Sequence, residues 1–180
     1  MLIKILIGIA AVVLLFVVVV ATRPAEFRVA RSQKIAAEPG AIFEHVNDLH
    51  KWGPWSPWEK VDPNLKRTYE GPTEGKGAIY SWVGNKDVGE GKMTIIESKP
   101  DDLIRIALEF YKPYEGKSTA EFTFEPKEDE TLVTWSMQGQ NNFLGKMIGL
   151  FMDMDKMIGD QFEKGLADLK SVAESRTEVE

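Results

Sequence analysis

The sequence predicts an α+β protein in which a curved antiparallel sheet of about seven strands wraps around a long C-terminal helix, preceded by an N-terminal transmembrane helix. The C-terminal helix is indicated by Phe143–Val172, where apolar residues recur in steps of three and four. The sheet is indicated by six earlier segments of alternating apolar and polar residues, separated by short turns. About thirty helical residues would span roughly 45 Å, which exceeds a small domain, so we expect a break near Gly149 to Asp155.

The N-terminal segment is long and apolar enough to cross a bilayer. Every residue of Ile5–Ala21 is apolar or glycine, and Met1–Ile3 extends the run past Lys4, to about the twenty residues that span a hydrocarbon core. We interpret residues 1–22 as a retained single-pass anchor. A cleaved signal peptide is the alternative, because Val19-Val20-Ala21 is a passable cleavage site. The soluble domain is expected on the outer side of the membrane, periplasmic or extracellular.

The elements after the anchor follow one another in a simple order. A first strand is predicted over Phe27–Ile35, and a short helix with Pro39 in its first turn ends near Asp48. Six strands follow, over Lys66–Glu70, Ala78–Val83, Val88–Ser98, Leu103–Phe110, Lys117–Glu125 and Leu132–Gln138. We assign residues 23–175 to one domain and residues 176–180 to a polar tail.

Alternation along the strands separates an inner face from an outer face, because successive side chains point to opposite sides of a sheet. The residues predicted to face inward are Ile104, Ile106, Leu108 and Phe110, then Ala120, Phe122 and Phe124, then Val133, Trp135 and Met137. Those predicted to face outward are Arg105, Glu109, Glu121 and Glu125. The inner face is therefore apolar and needs a cover, which the long helix supplies.

Three tryptophans lie three residues apart in the loop His50–Glu59, with prolines at positions 54 and 57 between them. Proline at this density favours polyproline II, whose three residues per turn would place the indoles on one side. The loop has three alternative roles: a plug at the end of the core, a lid over a ligand pocket, or a contact with the membrane.

Composition excludes several classes of function. The net charge of −6 argues against a nucleic-acid partner, because phosphate contact needs clustered lysine and arginine. The chain contains no cysteine, which excludes disulfides and thiolate chemistry. The only histidines, His45 and His50, lie five residues apart across a predicted helix end, and a metal site would need further aspartate or glutamate brought in by folding. We therefore expect no metal and no cofactor.

Several motifs together resemble those of one known family. They are Trp52-x-x-Trp55-Ser56-Pro57-Trp58-Glu59, Gly75-x-Gly77-x-x-Tyr80-x-Trp82-x-Gly84, Val88-Gly89-x-Gly91-x-Met93 and Met154-Asp155-Lys156-Met157-Ile158-Gly159. In this combination and order, the chain resembles the polyketide cyclase/dehydrase-like branch of the START-like (SRPBCC) helix-grip superfamily. The resemblance covers roughly residues 27–173.

The resemblance implies a deep apolar cavity between the sheet and the C-terminal helix, used in that superfamily for lipid carriage, small-molecule binding or ring closure. It does not imply a particular reaction. The expected ligand-binding residues are Trp55, Trp58, Tyr80, Trp82, Met93, Phe110, Phe122, Trp135, Met137, Phe151, Asp155 and Ile158.

Asp155 is the one acid that a helical count places on the apolar face, between Phe151, Ile158 and Phe162. An unpaired carboxylate there would be costly. Three interpretations remain open: Asp155 or Asp153 caps a helix that starts after the break, Asp155 pairs with Arg31 of the first strand, or Asp155 lies in the cavity wall and orients a ligand.

These observations predict a membrane-anchored domain that binds an apolar or amphipathic small molecule, such as one derived from lipid. The alternative is a cyclase or dehydratase in which a cavity acid such as Asp155 or Glu90 moves protons. A third class is an envelope protein whose tryptophan loop meets a protein partner. A large cavity would favour the first class, a cavity with an enclosed acid the second, and a filled core the third.

Overall fold

A computed structural model describes residues 1–177. In chain order the elements are α1 (Leu2–Ala21), β1 (Glu26–Ile35), α2 (Pro39–Asn47), β2 (Lys66–Glu70), β3 (Ile79–Val83), β4 (Glu90–Lys99), β5 (Leu103–Lys112), β6 (Gly116–Lys127), β7 (Glu130–Gln140), α3 (Phe143–Ile148) and α4 (Met154–Thr177). One antiparallel sheet takes the order β1-β7-β6-β5-β4-β3-β2. The predicted fold class is confirmed, and β1 completes the meander by pairing with β7.

The two faces of the sheet are those expected from alternation. Ile104, Ile106, Phe122 and Val133 are fully buried, and Leu108 and Phe110 pack against this core. On the outer face, Arg105 forms ion pairs with Glu97 and with Glu121, the second at 2.7 Å. The strand pattern alone therefore assigned the core side of the sheet correctly.

The predicted break divides the C-terminal helical segment into α3 and α4. Each helix begins at a side-chain cap: the Gly145 amide donates to Asn142 Oδ1 at 2.9 Å, and the Lys156 amide donates to Asp153 Oδ1 at 3.0 Å. These bonds satisfy amides that have no partner inside the helix. Of the two residues considered for the cap of the second helix, Asp153 takes that position.

From Phe162 onward, one face of α4 packs into the core. Phe162, Leu166, Leu169 and Ala173 are buried, in steps of three and four along one face. Gly165 lets the helix approach closely, because a Cβ there would lie 2.8 Å from Trp135 Cζ3 and 3.0 Å from Pro57 Cδ. The helix continues to Thr177, two residues into the predicted polar tail, and residues 178–180 lie outside the described residues.

The tryptophan loop does not form polyproline II, so that expectation was wrong. Two short 3₁₀ turns, Leu49–Trp52 and Pro57–Lys60, lie at its ends. The indole N–H of Trp52 donates to the Val46 carbonyl at 3.0 Å, and that of Trp55 to the His45 carbonyl at 3.2 Å. Both indoles are buried, which agrees with the plug among the three alternatives.

Arg31 joins the edge strand to the last helix. Its Nη2 lies 2.9 Å from Asp155 Oδ2, and its Nε lies 2.9 Å from Glu163 Oε1. The guanidinium crosses α4 over Gly159, where a Cβ would lie 2.0 Å from Nη2. Since Asp155, Gly159 and Glu163 are spaced by four residues, they share one helical face, which β1 covers through Arg31.

Helix α1 contacts the folded domain only at its C-terminal end. Its apolar side chains are exposed apart from Val20, which is fully buried. Lys146 Nζ of α3 donates to the Ala21 carbonyl at 3.3 Å. Among the described residues, α1 alone is long and apolar enough to span a membrane, and a signal sequence would meet the same criteria.

Replacing Gly165 by alanine will destabilise the domain, although alanine favours helix by up to about 1 kcal/mol relative to glycine. The new methyl group has no space between the rigid Trp135 and Pro57 side chains, and overpacking of this kind costs about 1–3 kcal/mol. Chemical denaturation measures the expected fall in the free energy of unfolding.

Gly53→Ala is the matched control, because a Cβ at Gly53 meets no atom within 4 Å and the backbone there is right-handed helical. Its free energy of unfolding should stay within about 0.5 kcal/mol of the wild type. Equal effects of the two substitutions would show that close approach at Gly165 is unimportant.

Candidate functional site

An apolar cavity of about 460 Å³ lies between the concave face of the sheet and the C-terminal helices. This volume falls within the roughly 300–1,000 Å³ typical of small-molecule sites. The sheet lines it with Tyr80, Trp82, Met93, Leu108, Phe110 and Met137. The helical side supplies Leu144, Ile148, Met154, Ile158 and Phe162. The interior is therefore not filled by the protein's own side chains.

The floor of the cavity is a stack of aromatic rings. Trp135 lies between Phe122 and Phe162, with ring centroids 4.7 Å and 4.2 Å away and nearly parallel planes. Trp58 meets Trp135 edge-on at 5.5 Å and also contacts Phe162. Buried aromatic pairs of these geometries add to the stabilisation that area burial provides. The floor is consequently rigid and links the sheet, the tryptophan loop and α4.

Glycine shapes the wall near the sheet edge. A Cβ at Gly91 would lie 2.4 Å from Trp82 Cζ2, so the indole of β3 lies flat across the neighbouring strand β4. Phe110 then packs edge-on against Trp82 at 5.9 Å. The register of β4 against β5 also shifts next to Gly91, and such bulges bend a strand. Gly91 therefore contributes to the sheet curvature that opens the cavity.

One buried polar cluster interrupts the apolar lining. The Tyr80 hydroxyl donates to Glu59 Oε1 in a short hydrogen bond, and Arg67 Nε lies 2.6 Å from Glu59 Oε2. The Glu59 side chain is only 8% exposed, yet both Glu59 and Tyr80 line the cavity. Burial, followed by the bond to Glu59, raises the pKa of Tyr80 well above its ordinary value of 10, so the hydroxyl remains a donor.

The exposed part of the lining lies at one end of the sheet. Asp87, Tyr114, Glu115, Lys117 and Asn142 line the cavity and are also exposed to solvent. They belong to the turns and strand ends beside Gly116, which pairs with Phe110. The cavity therefore opens at this end, while the buried tryptophan loop closes it elsewhere.

Eight of the twelve predicted ligand-binding residues line the cavity. They are Trp58, Tyr80, Trp82, Met93, Phe110, Trp135, Met137 and Ile158. Trp55 and Phe122 do not reach it. Both are fully buried, and each contacts Trp135, which does line the cavity.

Phe151 and Asp155 do not line the cavity, and the expectation for both was wrong. Phe151 lies in the break between α3 and α4, where helical phase is lost, and it is 77% exposed. Asp155 lies in a turn of α4 that faces the edge strand, so its carboxylate meets Arg31 and is 61% exposed. The pairing with Arg31 was among the three interpretations left open. Glu90 is also outside the lining and pairs with Lys112 at 2.7 Å.

Glu59 is the polar residue that the sequence interpretation missed. It ends the tryptophan motif and was assigned no role of its own. Nothing within the loop shows that a strand tyrosine, 21 positions later, would turn its hydroxyl onto this carboxylate. The alternation of Ile106 and Leu108 did carry a signal, since both were predicted to face inward and both line the cavity.

No group of three or more acidic or histidine side chains within residues 1–177 could hold a metal ion. His50 instead donates its backbone amide to Asp48 Oδ1 at 2.9 Å and stacks on Tyr69.

A curved sheet that grips a C-terminal helix around an apolar cavity defines the helix-grip class of ligand-binding domains. The chain belongs to the polyketide cyclase/dehydrase and lipid transport family, whose sequence profile matches residues 26–174. The resemblance noted in the sequence is thereby confirmed.

Solved structures of similar fold come from several different organisms. A protein of unknown function from Staphylococcus aureus has a TM-score of 0.64 at 12% identity, covering 87% of this chain and 98% of its own. The major latex-like protein 151 of Panax ginseng has a TM-score of 0.62 at 15% identity, with coverages of 83% and 98%. The Mll3558 protein of Rhizobium loti has a TM-score of 0.60 at 15% identity, with the same coverages. No curated protein matches in sequence. At these identities the likeness shows the fold alone.

Asp155→Asn will reduce stability at neutral pH and have less effect in acid. The Arg31 guanidinium, hydrogen-bonded to Asp155, holds the pKa of that carboxyl below its ordinary value of 3.8. A lowered folded-state pKa stabilises the protein above the ordinary pKa, and this contribution is lost as the pH falls below it. The loss at pH 7 will be small, because the pair is exposed.

Thermal unfolding of the wild type and Asp155→Asn at pH 7 and pH 3 measures this effect. The difference in Tm between them should shrink at the lower pH. A constant difference would show that the ion pair is not its source.

Proposed function

We propose that this protein is a membrane-anchored domain that binds an apolar or amphipathic small molecule, such as one derived from lipid, in the cavity beneath the last helix. The observation that carries the proposal is an unfilled apolar cavity of about 460 Å³ with the buried pair of Glu59 and Tyr80 in its wall. A filled interior would instead have favoured a purely structural or protein-binding role.

Affinity in such a site comes mainly from removing apolar surface from water. Each 100 Å² of buried apolar area contributes about 2.5 kcal/mol before the costs of ordering the ligand. Met93, Met137 and Met154 in the lining are flexible and polarizable, and they adapt to ligands of different shape. The site therefore selects ligands by their size and apolarity more than by one exact chemical structure.

The cluster of Glu59, Tyr80 and Arg67 supplies the polar contact of the site. Arg67 and Tyr80 already donate to the two carboxylate oxygens of Glu59, each of which retains a further lone pair. A ligand hydroxyl or amide N–H can donate to this carboxylate. The carboxylate offers only acceptor lone pairs, so the ligand end nearest Glu59 should carry a hydrogen-bond donor.

Anchoring by α1 fits this function, because apolar ligands are concentrated in bilayers. The exposed helix Leu2–Ala21 has the length of a membrane span. A retained anchor would hold the cavity beside its source of ligand. The outward orientation of the domain stays a prediction.

Filling the cavity will weaken ligand binding without unfolding the domain. Leu108 lines the cavity and is half-buried, so Leu108→Trp places an indole in the space that a ligand would use. Binding of the apolar fluorescent probe N-phenyl-1-naphthylamine should weaken at least about tenfold, equivalent to a loss of roughly 1.4 kcal/mol. Native mass spectrometry should also show loss of any small molecule that copurifies with the full-length wild type.

Ile96→Trp is the matched control, because Ile96 lies on neighbouring strand β4, is exposed and does not line the cavity. The probe should bind this variant as it binds the wild type. Melting temperatures of both variants separate loss of the site from loss of the fold. Equal probe binding by a folded Leu108→Trp would place the ligand site elsewhere.

A second candidate function is a cyclase or dehydratase, and the enclosed carboxylate of Glu59 is the observation that favours it. Here Glu59, and not Asp155 or Glu90, would accept the proton from a carbonyl-bearing substrate. The Tyr80 hydroxyl, once turned from Glu59 to the substrate, would donate to the oxygen that develops negative charge. Glu59 would pass the proton it has accepted to the departing hydroxyl, which leaves as water.

Glu59→Gln distinguishes the enzyme from the binding protein. If the domain dehydrates its ligand, the molecule that copurifies with Glu59→Gln will be heavier than the wild-type one by the mass of a water. Tyr80→Phe serves as a comparison that keeps the carboxylate and removes the donor. Identical ligand masses from the wild type and both variants would exclude dehydration at this cluster.

A further inference from the structure

We infer that the mouth of the cavity rests on the bilayer surface, so that the ligand is an amphiphile dissolved in the membrane that enters the cavity from the side. This deepens the proposed function and rests on α1 acting as a membrane anchor. Three observations carry it: the end of the sheet at which the cavity opens, the contact between α1 and α3, and exposed apolar side chains at the β5–β6 connection and in and after α3.

Strand register places the mouth at the end of the domain where α1 ends. β1 starts at Glu26, five residues after the last residue of α1, and Glu26 pairs with Gln140 at the end of β7. Gly139 in turn pairs with Ser118 near the start of β6, and Gly116 pairs with Phe110 near the end of β5. The strand ends around the mouth are therefore neighbours of the anchor.

Helix α3 connects the anchor directly to the cavity wall. Its Lys146 side chain donates to the Ala21 carbonyl at 3.3 Å, and just before it the Asn141 amide donates to the Ala25 carbonyl at 2.7 Å. The same short helix lines the cavity with Leu144 and Ile148. The cavity wall and the end of the anchor are therefore connected through α3.

Exposed apolar side chains at the β5–β6 connection, in α3 and in the segment from the end of α3 to the first turn of α4 form what we call the proximal patch. It consists of Tyr111, Tyr114, Phe143, Phe151, Met152 and Met157. Each is about half exposed or more, and Phe151 reaches 77%. An apolar patch of this kind on a soluble surface marks a site of contact, and tyrosine is favoured at membrane interfaces, where its ring is apolar and its hydroxyl is wet.

The bilayer is the occupant that the position of the patch favours. Phe143 of the patch lies in α3, the helix that contacts the end of α1, and Phe151 and Met152 follow shortly after α3. A membrane that holds α1 would therefore lie close to these side chains. Tyr114 both belongs to the patch and lines the cavity. A lipid chain leaving the bilayer beside α3 would therefore reach the cavity without crossing water.

Single-cysteine labelling of the full-length protein tests this contact, because the natural chain has no cysteine. Phe151→Cys carries a polarity-sensitive nitrobenzoxadiazole dye in the patch. Asp129→Cys carries it in the turn between β6 and β7, at the other end of β7. The eleven residues of that strand separate the two ends by about 35 Å. The labelled proteins are reconstituted into phosphatidylcholine vesicles with and without spin-labelled lipid.

The dye at position 151 should show blue-shifted emission and be quenched several-fold more by the spin-labelled lipid than the dye at position 129. Melting temperatures equal to that of the wild type confirm that both labelled proteins are folded. Equal, water-like emission at both positions overturns the inference. Blue-shifted emission at position 151 that spin-labelled lipid does not quench also overturns it, because the patch is then covered by protein.

Alkaline carbonate extraction of the same vesicles separates this inference from the proposed anchor. If the protein stays in the membrane while the dye at position 151 remains in water, only the bilayer contact of the mouth is lost. If carbonate releases the protein, the anchor itself fails, and with it the membrane part of the proposed function.

Discussion

The stacking of Phe162 on Trp135 is the contact on which the rest of the structure depends. Their rings lie 4.2 Å apart and 11° from parallel, and Gly165 removes the side chain that would hold the helix away. Beyond this contact Leu166, Leu169 and Ala173 are buried, whereas before it Ile158 is half-buried and Met157 is exposed. The helix therefore packs closely on the core from Phe162 onward. Its first turns are held to the edge strand by Arg31 and line the cavity through Met154 and Ile158.

The order of elements and the sheet side of the cavity followed from sequence, for a physical reason. Side chains alternate strictly along a strand, so a single correctly assigned residue fixes the direction of its neighbours. Leu108, Phe110 and Met137 were placed on the inner face in this way, and they line the cavity. Family resemblance added the cavity itself, which alternation alone does not imply.

The helical side of the cavity was less predictable, because residues before and after the break between α3 and α4 do not follow one helical periodicity. Phe151 was counted as part of one continuous helix, yet it lies between two helices and faces water. The same count placed Asp155 on the apolar face of the helix. Its carboxylate instead pairs with Arg31, which is 124 positions earlier in the chain. The tryptophan loop shows the same limit. The indoles of Trp52 and Trp55 donate to backbone carbonyls of α2, and the loop does not adopt the polyproline II conformation that its prolines favour.

The short connection between α1 and β1 restricts where the domain can act. Only residues 22–25 separate the two elements, and four extended residues reach about 14 Å. With α1 in a bilayer, the domain could not shuttle cargo across an aqueous gap to an opposing membrane. Any recipient of its contents would have to approach the tethered domain or lie in the same membrane.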